Sequence, residues 1–241
     1  MNRLGKKLVI VTMLLFVAVT TACATEWIKP SKKIITRELP SLEVFNAIEF
    51  GGVGDVVYEV GTSRKVTLTG PDNVLPIVEV KVADNTLKIK FKSKKQVKGN
   101  VNLKIRVTAP NVTKFVNTGV GDILVDSKLN VQDEEVKMVV TGVGNIKADN
   151  LDVGQLSLTV TGVGDVEVKG KAKRASMKLT GVGDVKAYEL LADKVVARLT
   201  GVGDINCHAV TELEARTSGV GSVNYKGEPK LTGKGRVHHK D

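Results

Sequence analysis

Cysteine is scarce in this sequence. Only two occur in 241 residues, Cys23 beside an apolar leader and Cys207 near the C-terminus, so no internal disulfide framework can staple the fold. Aromatic side chains make up 4% of the chain, too few for an extended platform on which sugars or bases would stack. No cluster of aromatic and basic residues and no known nucleic-acid-reading motif is visible, which argues against a nucleic-acid partner. Glycine is plentiful, with 24 residues, yet neither GxxxxGK[ST] nor a GxGxxG opening a helix occurs in the context that phosphate binding requires. Non-repeated acids and bases do not gather into a catalytic constellation, so the expectation is a protein that is not an enzyme. Cys207 stands next to His208, but no third ligand or base accompanies them, and Cys207 reads as a small core residue. What the chain does have is Val, Thr, Gly and Lys in abundance, a composition that favours many short strands over helices.

The N-terminus reads as an export signal. MNRLGKK is basic, LVIVTMLLFVAV is apolar and shorter than a membrane span, and TTACATE supplies small residues for cleavage. Two cuts fit: after Ala24, or before Cys23, which would then carry lipid as the new N-terminus. The second resembles a bacterial lipobox with Thr20 where Leu is usual, and the polar stretch TEWIKPSKK that follows suits a tether. The expected organisation is therefore a signal peptide over 1–22, a tether over 23–35 and one domain over 36–241. The expected location is the outer membrane, periplasmic or surface-facing, reached through lipid on Cys23; a secreted or periplasmic soluble protein is the alternative. Removing Arg3, Lys6 and Lys7 with the leader lowers the formal charge from +10 to +7. A basic exported domain suits acidic glycans or a membrane surface as partners.

The decisive feature is a repeat. TGVGDILV begins at Thr118, TGVGNIKA at Thr141, TGVGDVEV at Thr161, TGVGDVKA at Thr180, TGVGDINC at Thr200 and SGVGSVNY at Ser218, with a degenerate TGKGRVHH from Thr232 and an earlier cousin, GGVGDVVYEV, from Gly51. An alternating run precedes each regular copy. Around residue 200, Val195, Ala197, Leu199, Gly201, Gly203, Ile205 and Cys207 share one face, and Val196, Arg198, Thr200, Val202, Asp204, Asn206 and His208 share the other. Repeats of about 20 residues that are strand-like throughout cannot bury an apolar face alone and must stack. The pattern predicts an all-β fold, a right-handed single-stranded parallel β-helix with one repeat per coil. An antiparallel barrel or sandwich is the rival. Inward glycines would let the sheet bend, or let a bulky side chain from the opposite wall approach.

Stacking would place equivalent residues in columns. Thr118, Thr141, Thr161, Thr180 and Thr200 form one; Val120, Val143, Val163, Val182, Val202 and Val220 form the next; Asp122, Asp165, Asp184 and Asp204, interrupted by Asn145 and ended by Ser222, form the third. These columns are the candidate binding face. If parity persists through the glycines, the valines face solvent and mark an interface; if the glycines make a corner, the valines turn inward. Carboxylates about 5 Å apart repel by about 0.8 kcal/mol even in water. Capping of turn N–H groups, lysines such as Lys186, or calcium along Asp165, Asp184 and Asp204 would offset this. No other cofactor is implied.

Residues 36–110 are strand-rich without the period and are expected to begin and cap the solenoid as irregular coils, with regular repeats over 111–241. VADNTLKIKF reads as a hairpin turning at Asp84 and Asn85, and KSKKQVKGN as a solvated basic loop. The order VFNAIEFGGVGDVVYEV, VTLTGPDNVLP, DNTLKIKFK, NVNLKIRVTAPNV and then serial TGVGD copies resembles the auto-transporter adhesin head domain, also called the head GIN domain, over about residues 36 to 237. That resemblance implies an exported protein or lipoprotein of a Gram-negative bacterium, a right-handed β-helix without an assigned catalytic site, and a part in adhesion. The expected partner is a glycan or protein at the cell surface. A polysaccharide-active enzyme and a structural element that self-associates into a homo-oligomer are the alternatives.

Overall fold

The computed structural model describes residues 26–92, 95–99, 101–110 and 112–241; the leader, both candidate cleavage points and Cys23 lie outside them. Nine strands precede the regular repeats: β1 (Glu26–Ile28), β2 (Ile34–Leu39), β3 (Ala47–Gly51), β4 (Asp55–Val60), β5 (Lys65–Pro71), β6 (Val78–Ala83), β7 (Thr86–Phe91), β8 (Lys95–Val97) and β9 (Lys104–Ala109). Ten follow: β10 (Lys114–Asn117), β11 (Ile123–Val125), β12 (Leu129–Val140), β13 (Ile146–Val160), β14 (Val166–Leu179), β15 (Val185–Leu199), β16 (Ile205–Thr217), β17 (Val223–Lys226), β18 (Lys230–Lys234) and β19 (Val237–His239).

From β10 onward each strand lies parallel and in register on the strand one repeat away, making a β-solenoid of about six turns with a spacing of about 20 residues. The alternation read from the sequence holds through the corners. Val195, Ala197, Leu199, Ile205 and Cys207 are buried, whereas Arg198, Thr200 and Val202 are exposed. Inside, like stacks on like: Val160 on Leu179 on Leu199, and Val166 on Val185 on Ile205 on Val223. Each such aliphatic side chain contributes about 1.5–3 kcal/mol by leaving water.

The first half loses the period because its coils are out of chain order. β3 and β4 form the first coil, pairing in parallel with β10 and β11 on one side. On the other side they pair with β7 and β9, which come later in the chain. The hairpin of β6 and β7 turns where expected, with Asp84 and Asn85 at φ 52° and 55°, a conformation these short polar residues tolerate. β5 runs antiparallel to both β2 and β9.

Three expectations are corrected. The tether expected up to residue 35 is tied down from Glu26 on, where β1 pairs with β8, Asn73 Nδ2 donates to the Lys29 carbonyl at 2.8 Å and β2 begins at Ile34. The basic loop from Lys92 accordingly contains strand β8. The last repeat is not a further copy. Gly233 pairs with Ala215 rather than stacking on Gly219, and two residues join Lys234 to Val237 where the preceding coil uses six between Arg216 and Val223. The final coil takes a short cut and has no corner.

Candidate functional site

Every residue of the TGVGD motif has a job at the corner. Ahead of it, Thr180 N and Gly181 N both donate to the Val160 carbonyl, at 2.8 and 3.0 Å, and Val182 N donates to Gly162. Past the valine the direction reverses: Gly183 N donates forward to Val202 O at 3.0 Å and Val185 N to Asp204 O at 2.9 Å. The second glycine carries this reversal at φ +139°, a conformation closed to ordinary side chains. A Cβ on Gly181 or Gly183 would lie 2.0 or 2.1 Å from the carbonyl oxygen of the equivalent glycine one coil earlier. Close approach of backbone to backbone therefore explains the glycines, and the expected approach of a side chain from the opposite wall is not the reason.

The aspartates complete the ladder. Asp184 N–H points back to a coil whose backbone carbonyl is turned elsewhere, and Asp165 Oδ1 accepts it at 2.8 Å. The same bond repeats from Asn145 N to Asp122 Oδ1, Asp165 N to Asn145 Oδ1, Asp204 N to Asp184 Oδ1 and Ser222 N to Asp204 Oδ1, at 2.7 to 2.8 Å. An amide oxygen serves as well as a carboxylate, so Asn145 does not break the column. Lys186 Nζ adds an ion pair to Asp165 Oδ2 at 2.5 Å, and this hydrogen bond raises the lysine pKa. The column begins one coil earlier than the TGVGD copies indicate: Asp55 Oδ1 accepts Asp122 N at 3.2 Å. The cousin at Gly51 was the available signal. Among the described residues no three His, Cys, Asp or Glu side chains come together to hold a metal ion.

The valines face solvent. Val53, Val120, Val143, Val163, Val182, Val202 and Val220 bridge in series, and Val120 through Val202 are each 48–50% exposed. They form an apolar line about 29 Å long at one coil per 4.8 Å. Thr118, Thr141, Thr161, Thr180 and Thr200 border it on one side, all exposed, while the aspartates border it on the other. Thr118 Oγ1 donates to Phe50 O at 3.1 Å and Thr200 Oγ1 lies 3.4 Å from Thr180 Oγ1. At the far end Arg236 closes the corner, its guanidinium donating to the Gly221 and Gly219 carbonyls at 2.7 and 2.5 Å. Near the start, the line opens into a shallow cavity of about 700 Å³ walled by Val53, Val120, Phe91, Val97 and Lys92.

Two residues near the corner face inward. Asn117 is fully buried; its amide donates to Gly121 O at 2.6 Å and its carbonyl accepts Gly119 N at 3.1 Å, so both polar ends are satisfied. No sequence pattern marked it. Cys207 is also fully buried, and burial pushes its thiol up to about 12, which keeps it un-ionised and poorly nucleophilic. His208, on the opposite face of the strand, cannot join it.

A single parallel solenoid with a fully bonded corner and a continuous outer ladder defines a rigid presenting scaffold. The chain belongs to the family described as "Putative auto-transporter adhesin, head GIN domain", whose model matches residues 44–229. It is similar to a solved structure from Bacteroides fragilis NCTC 9343 described as a "putative adhesin", at 35% identity over 88% of this chain and 100% of that one, with a TM-score of 0.81. The same fold occurs in a "putative lipid binding protein" from Parabacteroides distasonis ATCC 8503, at 24% identity, 90% and 100% coverage and a TM-score of 0.72. It occurs again in a "putative adhesin" from Parabacteroides merdae ATCC 43184, at 23% identity, 90% and 100% coverage and a TM-score of 0.67. No curated protein matches the chain. Family membership and the 35%-identical neighbour give the chain an adhesin-like, exported, cell-surface character.

Proposed function

We propose that this protein is a non-enzymatic adhesin of the cell envelope, anchored by lipid on Cys23, that binds a surface glycan or protein through its corner ladder. The observation that carries this reading is the uninterrupted valine line from Val53 to Val220, about half-exposed or more from Val120 onward. An apolar strip of that length, held on a soluble scaffold at the cost of exposure to water, is the usual mark of an interface. The hydroxyls beside it supply hydrogen-bonding groups at each coil. The repeated carboxylates are occupied with backbone N–H groups, which leaves them poor candidates for a tuned acid and base pair. End-to-end polymerisation is disfavoured by Arg236, which takes the Gly219 carbonyl that the valine N–H of a further corner would need.

The test combines Val163→Asp, Val182→Asp and Val202→Asp, all at exposed positions, in a chain whose thermal unfolding is checked. Loss of cell-surface attachment without loss of fold is the expected outcome; full attachment by the folded variant would refute the ladder as the binding face. Separately, Cys23→Ala should release the protein from the membrane fraction, and unchanged membrane association would count against the lipid anchor.

A further inference from the structure

Two residues ahead of the threonines, on the same outer face, runs a column that the corner does not explain. Its early positions are Lys88, Glu49, Val116, Val139 and Thr159; the next four coils place Lys178, Arg198, Arg216 and Lys234 in register. All four are exposed. Like charges stacked one coil apart repel even in water, and the other side of the corner shows how this fold avoids that. There Lys147, Glu167 and Lys186 alternate in sign up the column, with Lys147 3.1 Å from Glu167, and Lys169 reaches Glu167 and Glu189 at 3.8 and 3.1 Å. On the basic column one carboxylate, Glu214, serves both Arg198 at 3.4 Å and Arg216 at 3.2 Å. Lys178 and Lys234 have no ion pair among the described residues. Arg236, fixed at the end of the corner, adds a further cation nearby.

We propose that this column binds a linear acidic polysaccharide, laid along the solenoid axis with its carboxylates or sulfates on Lys178, Arg198, Arg216 and Lys234. The proposal rests on the reading of the corner as a ligand surface and names the ligand class. The cations span about 14 Å at one per 4.8 Å, a spacing close to the advance of one sugar in an extended glycan. Guanidinium groups pair with carboxylate or sulfate through two parallel N–H donors. Thr180, Thr200 and Ser218 stand beside the cations to meet sugar hydroxyls. No aromatic residue occurs in these columns, so the stacking that single-stranded nucleic acid requires is missing. The adjoining valines are short and half buried, without the Trp, Phe or Leu that enters acyl chains.

The experiment measures binding of oligogalacturonates of increasing length to the purified full chain, with maltodextrins as neutral controls. The acidic oligomers should bind, more tightly up to about four sugars and more weakly as salt rises, and the neutral ones should not. The triple variant Lys178→Gln, Arg198→Gln, Arg216→Gln should weaken binding by about tenfold, whereas Lys128→Gln, Lys147→Gln, Lys169→Gln, which removes the same number of cations, should leave it nearly unchanged. Equal weakening by both variants, equal binding of maltodextrin, or tighter binding of duplex DNA or phosphatidylglycerol vesicles would overturn the proposal. The Val→Asp variants distinguish the two readings. Attachment lost with them while oligogalacturonate fails to bind the wild type rejects the acidic glycan and retains the ladder.

Discussion

The large rings of the core sit at one end of the molecule. Phe45, Phe50, Tyr58 and Phe115 are fully buried in or beside β3, β4 and β10, where the first coils meet the antiparallel cap. Coils β14 to β16 are filled instead by Val, Leu, Ile, Ala, Met and Cys207. A repeating coil must use side chains that stack on their own kind at each step, and rings fit that requirement poorly in a narrow interior. The first coils stack on strands of different sequence, Tyr58 between Val107 and Val125 and Phe115 between Ile48 and Met138, so they need not match like with like and can set Tyr58 against Phe115, with ring centres 5.3 Å apart, and finish the buried hydroxyl with Ala109 O and Val112 N. Repetition gives the coils their ladder, and irregularity seals one end of it.

The sharpest way to break this contrast is a methyl group at the corner. Gly183→Ala should cost about 5 kcal/mol or abolish folding, because its Cβ would overlap the Gly164 carbonyl at 2.1 Å and the backbone sits at φ +139°. Gly233→Ala, in the coil that has no corner, meets nothing nearer than 3.6 Å and should change the unfolding midpoint little. In the cap, Tyr58→Ala should cost about 4 kcal/mol, read by denaturant unfolding; a loss below about 1 kcal/mol would show that the rings are not what seals that end. A smaller effect is expected on the ladder. Asp184→Ala should lose about 1 kcal/mol with the bond to Asp204 N, and Asp184→Asn should restore it, since Asn145 already fills such a rung.

The smallest response belongs to Cys207 in the narrow coil core. Its peptide should resist maleimide labelling at pH 8 in the native protein and react once unfolded, measured by mass spectrometry. The sign of the accompanying pH effect follows from the raised thiol pKa of about 12 against a usual 9. The folded state keeps the proton, so this contribution is whole below pH 9 and is lost as pH rises from 9 toward 12.

The coils were legible because position in the repeat and position in space coincide. Two-residue parity placed Leu199 inside, the 18- to 23-residue spacing of the glycines predicted their stacking, and only the side of Val202 was left open, because a corner at the glycines could have broken the alternation. The hairpin at Asp84 and Asn85 was legible for a local reason, two adjacent residues that tolerate positive φ. What stayed hidden depended on contacts between distant segments. That β7 and β9 lie on the far side of β3 and β4 is a long-range pairing with no periodic trace, and the antiparallel match of β2 with β5 is of the same kind. The final TGKGRVHH looked like a copy because spelling survives where register does not: Gly233 sits opposite Ala215. The aspartates were seen as a column, but their acceptor role required knowing where each backbone carbonyl turns after the second glycine.

The terminal arginine also bears on how such a molecule changes length. Every interior rung makes the same bond to the rung before it, so a duplicated twenty-residue unit inserted ahead of Ser218 would inherit a complete set of partners from its neighbours. Arg236 would still take the last open ladder carbonyl, that of Gly219, and end the stack wherever it fell. The length of the scaffold is thus set by unit count, with one side chain as the stop, and a lineage can lengthen or shorten it without inventing a new fold.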